Sequence, residues 1–208
     1  MSLILKQESS SYTPAPEGNH PAVCISVIDL GVQKTEWQGE KKQLHKILIT
    51  WELPYEEGDG DNPVTISKRY TMSMHEKSTL YKDLVSWRGR DFTPEEKQGF
   101  DLFNIVGVAC FLNVIHQERE GKTYSNITSI APLAKGMDKP LPRTPNLMKF
   151  SLSTSPSEEF EALSDGIKRV IQESLSFFEF QVRTGRASQN NTPMGMHDDY
   201  PMTEEIPF

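Results

Sequence analysis

Residues 43–53, QLHKILITWEL, decide the fold class because their side chains alternate between two faces. One face carries His45, Ile47, Ile49, Trp51 and Leu53. The other face carries Leu44, Lys46, Leu48 and Thr50. Successive side chains of a strand point to opposite sides of a sheet, so this period of two predicts a β-strand with one core side.

Two further strands flank this one. The apolar, β-branched run 22–30 (AVCISVIDL) ends at a glycine and predicts the first strand. A polar connection, residues 33–42, leads from it into the second strand. An acidic loop, residues 55–63, follows the second strand, and residues 64–73 alternate again. The first half of the sequence therefore predicts three consecutive strands.

The pattern then changes to that of a helix. Residues 78–87 place apolar side chains at helical spacing, and Ser78 is positioned to cap the helix. A short helical turn is expected after Pro94. Strand character returns in residues 103–116 and 124–133, which are joined by a glycine turn. The order is therefore three strands, a helix and two strands.

This order is typical of the OB-fold, a five-stranded Greek-key barrel. In that fold, a helix between strands three and four closes one end of the barrel. A small β-sandwich is the competing mainly β arrangement. Strands and helices do not alternate as they would in a doubly wound sheet, which argues against a parallel α/β fold.

The chain changes composition after the fifth predicted strand. Residues 134–149 contain three prolines and four bases against one acid, which predicts an extended basic strap. The sequence SPSE, residues 155–158, predicts a helix start with a serine cap and proline at the first helical position. An apolar stripe then runs through residues 158–178. We predict three parts: 1–133, an OB-fold domain with an N-terminal arm; 134–184, the strap and an amphipathic helix; and 185–208, a disordered spacer and acidic tip.

The final segment, DDYPMTEEIPF, combines acidic side chains with an apolar end. Such a segment suits a basic pocket with an apolar floor, because its charges steer and its last side chain anchors. A solvated acidic tail is the alternative. The net charge is -7, and removing the four tip acids from 29 leaves 25 acids against 22 bases, a net of -3. The predicted partner-binding residues are Asp198, Asp199, Glu204, Glu205, Ile206, Pro207 and Phe208.

Other function classes find little support in the sequence. It contains no phosphate-binding loop, no Cys-x-x-Cys pair and no Gly-x-Ser-x-Gly motif, so we predict neither an enzyme nor a cofactor or metal site. Cys24 and Cys110 lie in apolar runs and are expected to be buried thiols. No apolar run approaches the length of a membrane span, and no signal peptide is recognised at the N-terminus. We therefore expect a cytoplasmic protein with no membrane partner.

Two parts of the chain resemble known families. The run RYTMSMHEKS, residues 69–78, with the Trp87-Arg88-Gly89 sequence that follows, is similar to phage and prophage single-stranded DNA-binding proteins of the OB-fold class. This likeness covers about residues 12–133, whereas residues 134–184 match no family pattern. The acidic end closing on Ile-Pro-Phe resembles the C-terminal tip of bacterial single-stranded DNA-binding proteins. Together they imply a protein that coats single strands and recruits replication or recombination enzymes.

A non-specific single-strand binder needs bases for the phosphates and aromatic rings for the nucleobases. In an OB-fold these lie on strands two and three and on the loops that follow strands one and four. The nucleic-acid-binding candidates at those places are Lys34, Trp37, Lys41, Lys42, Lys46, Lys68, Arg69, Tyr70, Phe111, Arg119, Lys122 and Tyr124.

The sequence thus predicts a single-stranded DNA-binding protein of phage replication or recombination. The alternatives are a non-enzymatic adaptor that binds protein through the same barrel, and an accessory OB domain of a replication complex. The apolar stripe of residues 158–178 would also allow a homo-oligomer.

Overall fold

The computed structural model describes residues 14–37, 39–58 and 63–186, apart from the Trp37 side chain. The predicted spacer and tip lie outside the described residues, except for residues 185 and 186. The strands are β1 (Gly18–Trp37), β2 (Glu40–Glu57), β3 (Pro63–Thr71), β4 (Ala109–Arg119), β5 (Lys122–Ala131) and β6 (Met148–Phe150). The α-helices are α1 (Thr79–Arg88), α2 (Pro94–Gln98), α3 (Ser157–Glu161), α4 (Asp165–Gln172) and α5 (Phe177–Arg183), and a 3-10 helix spans Leu102–Ile105.

All six strands belong to one sheet, and β1 is its centre. The sheet order is β3-β2-β1-β4-β5, with neighbouring strands antiparallel, and β6 pairs with β1 in parallel. β4 pairs with residues 18–23 of β1, β6 pairs with residues 26–28, and β2 pairs with β1 from Val23 to Trp37. The predicted mainly β class is therefore confirmed. Strand pairing leaves the sheet open between β3 and β5.

The first hydrophobic core lies on the inner face of the sheet. Ile47, Ile49 and Trp51 are all buried there, which confirms the core side predicted for the second strand. Helix α1 covers this core, and the ring centroids of Trp51 and Trp87 are 5.8 Å apart. The predicted cap is present, since the Ser78 side chain accepts a hydrogen bond from the Tyr81 amide at 3.1 Å. The short helix predicted after Pro94 is also confirmed as α2.

Helix α1 also spans the opening between β3 and β5. Asp83 on α1 accepts hydrogen bonds from Lys68 Nζ at 2.7 Å and from the Tyr70 hydroxyl at 2.8 Å. Lys68 Nζ also donates to the Ile127 carbonyl of β5 at 3.3 Å. Ser86, one turn further along α1, donates to the Ile130 carbonyl. Side chains thus connect the two strands where no strand pairing does.

A second hydrophobic core lies on the other face of β1. Ile28 and Leu30 pack there against Phe150, Phe160 and other apolar side chains of the C-terminal region. β1 is therefore buried on both faces, which explains why residues 22–30 form an almost continuous apolar run.

A close contact at Gly31 fixes how the C-terminal helices pack on β1. Gly31 has φ +74°, and a Cβ at this position would lie 2.6 Å from Ser174 Oγ and 2.8 Å from Leu152 Cδ1. The Asp29 carboxylate accepts hydrogen bonds from the Gly31 amide at 2.8 Å and from the Leu152 amide at 3.2 Å. A glycine is required both by the backbone conformation and by the space available.

The strap passes over the outer side of β2. Residues 132–147 form no helix or strand and lead into β6. Glu52, whose side chain is fully buried at 0% exposure, accepts hydrogen bonds from the Arg143 amide and from the amide and hydroxyl of Thr144. One strand carboxylate therefore holds the middle of the strap. The division of the chain into three parts stays a prediction.

Several local predictions were wrong. The polar connection 33–42 is not a loop but the end of a long β1–β2 ribbon, and β2 extends into the predicted acidic loop. The predicted fourth strand begins later, because residues 102–105 form the 3-10 helix. The single predicted helix 158–178 consists of α3, α4 and the start of α5, since the backbone leaves helical geometry at Ser164, which is extended. Pro156 is the N-cap of α3, and the Ser155 hydroxyl accepts a hydrogen bond from the Ser151 amide instead of capping the helix.

Candidate nucleic-acid interface

The outer face of β2 and β3 carries two of the predicted bases. Lys46 lies opposite Thr71 and Arg69 lies opposite Leu48, and both pairs alternate with inward pairs such as Ile47 and Tyr70. Lys46 Nζ donates to Thr71 Oγ1 at 2.7 Å, and Arg69 is exposed. Thr50 and Ser67 lie between the strap and these bases and are joined by a hydrogen bond of 2.9 Å. We call the set Lys46, Thr50, Ser67 and Arg69 the β2–β3 face.

Lys68 and Tyr70 alternate with these residues and lie towards the inner side, although both also line the concave surface beside Lys46 and Arg69. Their role in nucleic-acid binding stays a prediction. Tyr70 is only 3% exposed, so neither face of its ring is open to a base. Burial, and then the neighbouring Asp83 carboxylate, raise the pKa of Tyr70 well above its usual range. Lys68 is held in an ion pair with Asp83 at 2.7 Å and lies over the Tyr70 ring. Both side chains take part in the contacts that connect β3 with α1, and Lys68 also reaches β5.

The β1–β2 ribbon carries three predicted lysines. Lys34 and Lys41 share one face of the ribbon. Lys34 pairs with Gln43, and Lys41 lies two residues before Gln43 on β2, so its side chain is on the same side. Lys42 lies on the opposite face and forms an ion pair with Glu40 at 2.8 Å. All three lysines are exposed. The backbone of Trp37 belongs to β1, but its side chain lies outside the description, so its stacking role stays a prediction.

The β4–β5 hairpin brings three more predicted residues together. Its two-residue turn has φ 51° at Glu120 and φ 71° at Gly121, as a tight hairpin turn of type I′ requires. Arg119 pairs with Lys122, and Gln117 pairs with Tyr124, so Arg119, Lys122 and Tyr124 lie on one face. The Tyr124 side chain is 48% exposed. The hairpin therefore presents an accessible ring beside two cations.

Phe111 lies on the same outward side of β4 but further along the strand. It pairs with Ala131 of β5 and Pro21 of β1, and it is half-buried. The exposed Ile115 lies between Phe111 and the hairpin tip. The structure therefore separates Phe111 from the cluster around Tyr124.

The two hairpins leave opposite ends of β1. The β4–β5 hairpin projects beyond the N-terminal end of β1, and the β1–β2 ribbon forms its C-terminal end. Six bases of the interface have no acidic partner within 4.0 Å among the described residues. They are Lys34, Lys41, Lys46, Arg69, Arg119 and Lys122.

Sequence reasoning missed two residues next to the β2–β3 face. His75 and Lys77, both exposed, line the same concave surface as Lys46 and Arg69. The loop is ordered locally, since the Lys77 amide donates to His75 Nδ1 at 3.1 Å. The signal that could have identified them was available, because both belong to the run 69–78 on which the family resemblance depends.

The side chains in the described part of the chain are not arranged to form other kinds of site. No group of three or more His, Cys, Asp or Glu side chains there could hold a metal ion. Cys24 and Cys110 are buried and free, and desolvation raises the pKa of both thiols, that of Cys24 to about 12. Among the helices that the structure describes, none has the length and apolar character needed to cross a membrane.

No protein-family model matches the chain, and no curated protein matches it.

Proposed function

We propose that the protein binds single-stranded DNA without sequence preference in phage-type replication or recombination. We further propose that its C-terminal tip recruits partner enzymes. The observation that carries the DNA-binding proposal is the set of bases without acidic partners on the β2–β3 face and on the two hairpins, all of them exposed except the half-buried Lys46. Cations in these three places would follow a strand's phosphates, and Tyr124 would stack on a base.

The strand order supports assigning the sheet to the OB class. An OB-fold pairs β1 with both β2 and β4 and places a helix between β3 and β4. The chain has both features, and α1 contacts both β3 and β5, the two edge strands that an OB barrel brings together when it closes. In this proposal the barrel is completed there by Lys68 and Asp83 instead of by strand hydrogen bonds.

The energetics of single-strand binding fit this kind of surface. Each neutralised phosphate releases counterions, so several separate bases give binding that weakens steeply with salt. Stacking of one nucleobase on an aromatic ring contributes roughly 1–3 kcal/mol and tolerates any base. The overall acidic charge does not oppose this, because cations on the β2–β3 face and the hairpins act locally on a strand within a Debye length of about 10 Å.

The test is fluorescence anisotropy with a labelled oligo-dT at low salt. The double variant Lys46→Glu and Arg69→Glu should weaken binding at least about tenfold, because it replaces two phosphate contacts by repulsion. The matched control, Lys82→Glu with Arg169→Glu, makes the same charge change at exposed positions on α1 and α4 and should bind nearly as well as the wild type. Equal losses in both double variants would reduce the effect to net charge and refute the assignment of the face.

The recruiting role of the tip is tested separately. Phe208→Ala should abolish capture of replication or recombination enzymes from host extract while leaving oligo-dT binding unchanged. Capture that survives this change would contradict recruitment by the tip. Loss of oligo-dT binding would place Phe208 in the DNA interface instead. Protein capture by a chain that binds no DNA would favour the adaptor alternative.

A further inference from the structure

A groove opens between the end of α1, the 3-10 helix and the strap, and it shares no lining residue with the concave surface beside the β2–β3 face. It encloses about 530 Å³. Its apolar lining includes Leu84, Trp87, Ile105, Val108, Leu133 and Leu141. Leu141 on the strap side is 80% exposed, although it stands beside buried apolar side chains. We call this concavity the strap groove.

Two cations line the strap groove. Lys139 is exposed on the strap, and Arg88 ends α1 with its guanidinium 4.1 Å from the centre of the Phe92 ring. Arg88 and Arg90 share a single carboxylate, that of Glu96, whose pKa is lowered by these two hydrogen bonds. The Asp91 carboxylate also acts on Arg88, but the residues that line the groove include Arg88 and Lys139 and no carboxylate.

The guanidinium of Arg88 also retains an unused donor. Its Nη1 atom is buried and has no hydrogen-bond partner among the described residues. A buried donor left without an acceptor costs about 1–3 kcal/mol, so an anion that reached it would be stabilised. The groove therefore suits a ligand that joins an apolar side chain to a carboxylate.

The chain itself ends in such a group. Phe208 carries the terminal α-carboxylate, and Ile206 and Pro207 precede it. We infer that the strap groove binds the chain's own C-terminal end, with the Phe208 ring on the apolar floor and the terminal carboxylate at Arg88 and Lys139. The inference concerns the tip alone and does not depend on DNA binding.

Charge complementarity extends beyond the last residue. The four acids of the tip would approach a strap that carries four bases and one acid between residues 134 and 149. Of those bases, Lys139 lines the groove, and Lys135 lies two residues after the groove residue Leu133; both are exposed. Opposite charges on the two segments would guide the tip to the groove at moderate salt.

The chain is long enough for this contact. The 22 residues from 187 to 208 can span up to roughly 70 Å when extended. A globular unit of about the described length has a radius of gyration of roughly 16 Å, so the tip can reach any part of the surface. Docked in the groove, the tip would be hidden, and a partner enzyme would have to displace it.

The first test compares amide spectra of the full-length protein with those of Phe208→Ala. Loss of the ring should shift amides that line the groove, such as Gly107, Val108 and Leu133, while Thr203→Ala, a polar change in the same segment, should leave them in place. Unchanged groove amides, or shifts confined to the β2–β3 face, would overturn the inference. Shifts that grow with protein concentration as dimers form would assign the groove to a second copy's tip and would also overturn it.

The second test measures a labelled peptide of residues 198–208 binding to the full-length Phe208→Ala protein. Replacing the peptide's phenylalanine by alanine should weaken binding at least about tenfold, because the ring's burial is lost. Amidating its terminal carboxylate should weaken binding about threefold to tenfold. Lys139→Glu in the protein should weaken it as well, whereas Lys149→Glu, an exposed lysine of β6 outside the groove, should not. Equal affinity for the three peptides would refute the proposed contacts.

Discussion

Replacing Glu52 with glutamine should release the strap from β2. The carboxylate accepts three hydrogen bonds, one on Oε1 from the Arg143 amide and two on Oε2 from Thr144. A glutamine side chain has the same shape but only one oxygen. Whichever way the amide is oriented, at least one donor of the strap would face an NH2 group, and the remaining bonds would lose the charge that strengthens them.

The magnitude follows from these contacts. A buried hydrogen bond to a charged group contributes about 1.5–3 kcal/mol, so losing one and weakening two should lower the free energy of unfolding by about 2–4 kcal/mol. For a domain of this size, that loss corresponds to a fall in melting temperature of roughly 5–15 °C. Urea unfolding gives the free energy, and calorimetry gives the melting temperature.

A local measurement separates release of the strap from general destabilisation. Trypsin should cut the Glu52→Gln protein sooner after Lys135 and Arg143 than it cuts the wild type, at temperatures where both remain folded. Glu57→Gln, an exposed carboxylate at the end of the same strand, should change neither stability nor cleavage. The reasoning fails if Glu52→Gln is as stable as the wild type and its strap is cut no faster.

Three further predictions concern the fold. Gly31→Ala should lower the free energy of unfolding by about 2–4 kcal/mol, because the added methyl group overlaps its neighbours and the backbone conformation is strained. Gly39→Ala, at φ +80° with open space around it, should lower it by only about 1 kcal/mol. Equal losses in the two variants would show that steric overlap at Gly31 contributes nothing. The hydrogen bond to Asp29 raises the pKa of His45 above 6.5. The stabilisation by this pair should therefore be full below pH 6.5 and be lost as the pH rises through the raised pKa. If the urea midpoint of His45→Gln changed with pH as that of the wild type does, this prediction would be contradicted. Cys24 and Cys110 should not react with a thiol reagent at pH 8 until the protein unfolds, and rapid reaction of the native protein would show that burial does not protect them.

The sequence predicts those elements whose local pattern and tertiary environment agree. The alternation in residues 43–53 matches a strand with one core face, and Ser78 caps α1 as its position indicates. β1 was predicted too short, because its ends contain glycine, proline and charged residues and are extended only through pairing with β4 and β2. β6 has three residues and depends on pairing with β1, which no local pattern reveals.

The positions of the candidate interface residues on the strands could also be predicted in part from the sequence. Parity along the strands correctly separates Lys46 and Arg69 on the outer face from the apolar residues between them. The same parity puts Lys68 and Tyr70 on the core side, but their partner Asp83 comes from α1, and that contact depends on how the helix crosses the sheet. The hairpin register that places Tyr124 beside Arg119 and Lys122 follows from a two-residue turn whose position the glycine indicates.

The salt dependence of oligo-dT binding by the full-length wild-type protein tests the central claim most directly. If the six bases without acidic partners, together with Lys42, each neutralise one phosphate, a plot of log K against log salt should have a slope of about -4 to -5. Such a slope, with similar affinity for oligonucleotides of different sequence, is the predicted result. No binding at low salt, or affinity that does not change with salt, would contradict the account.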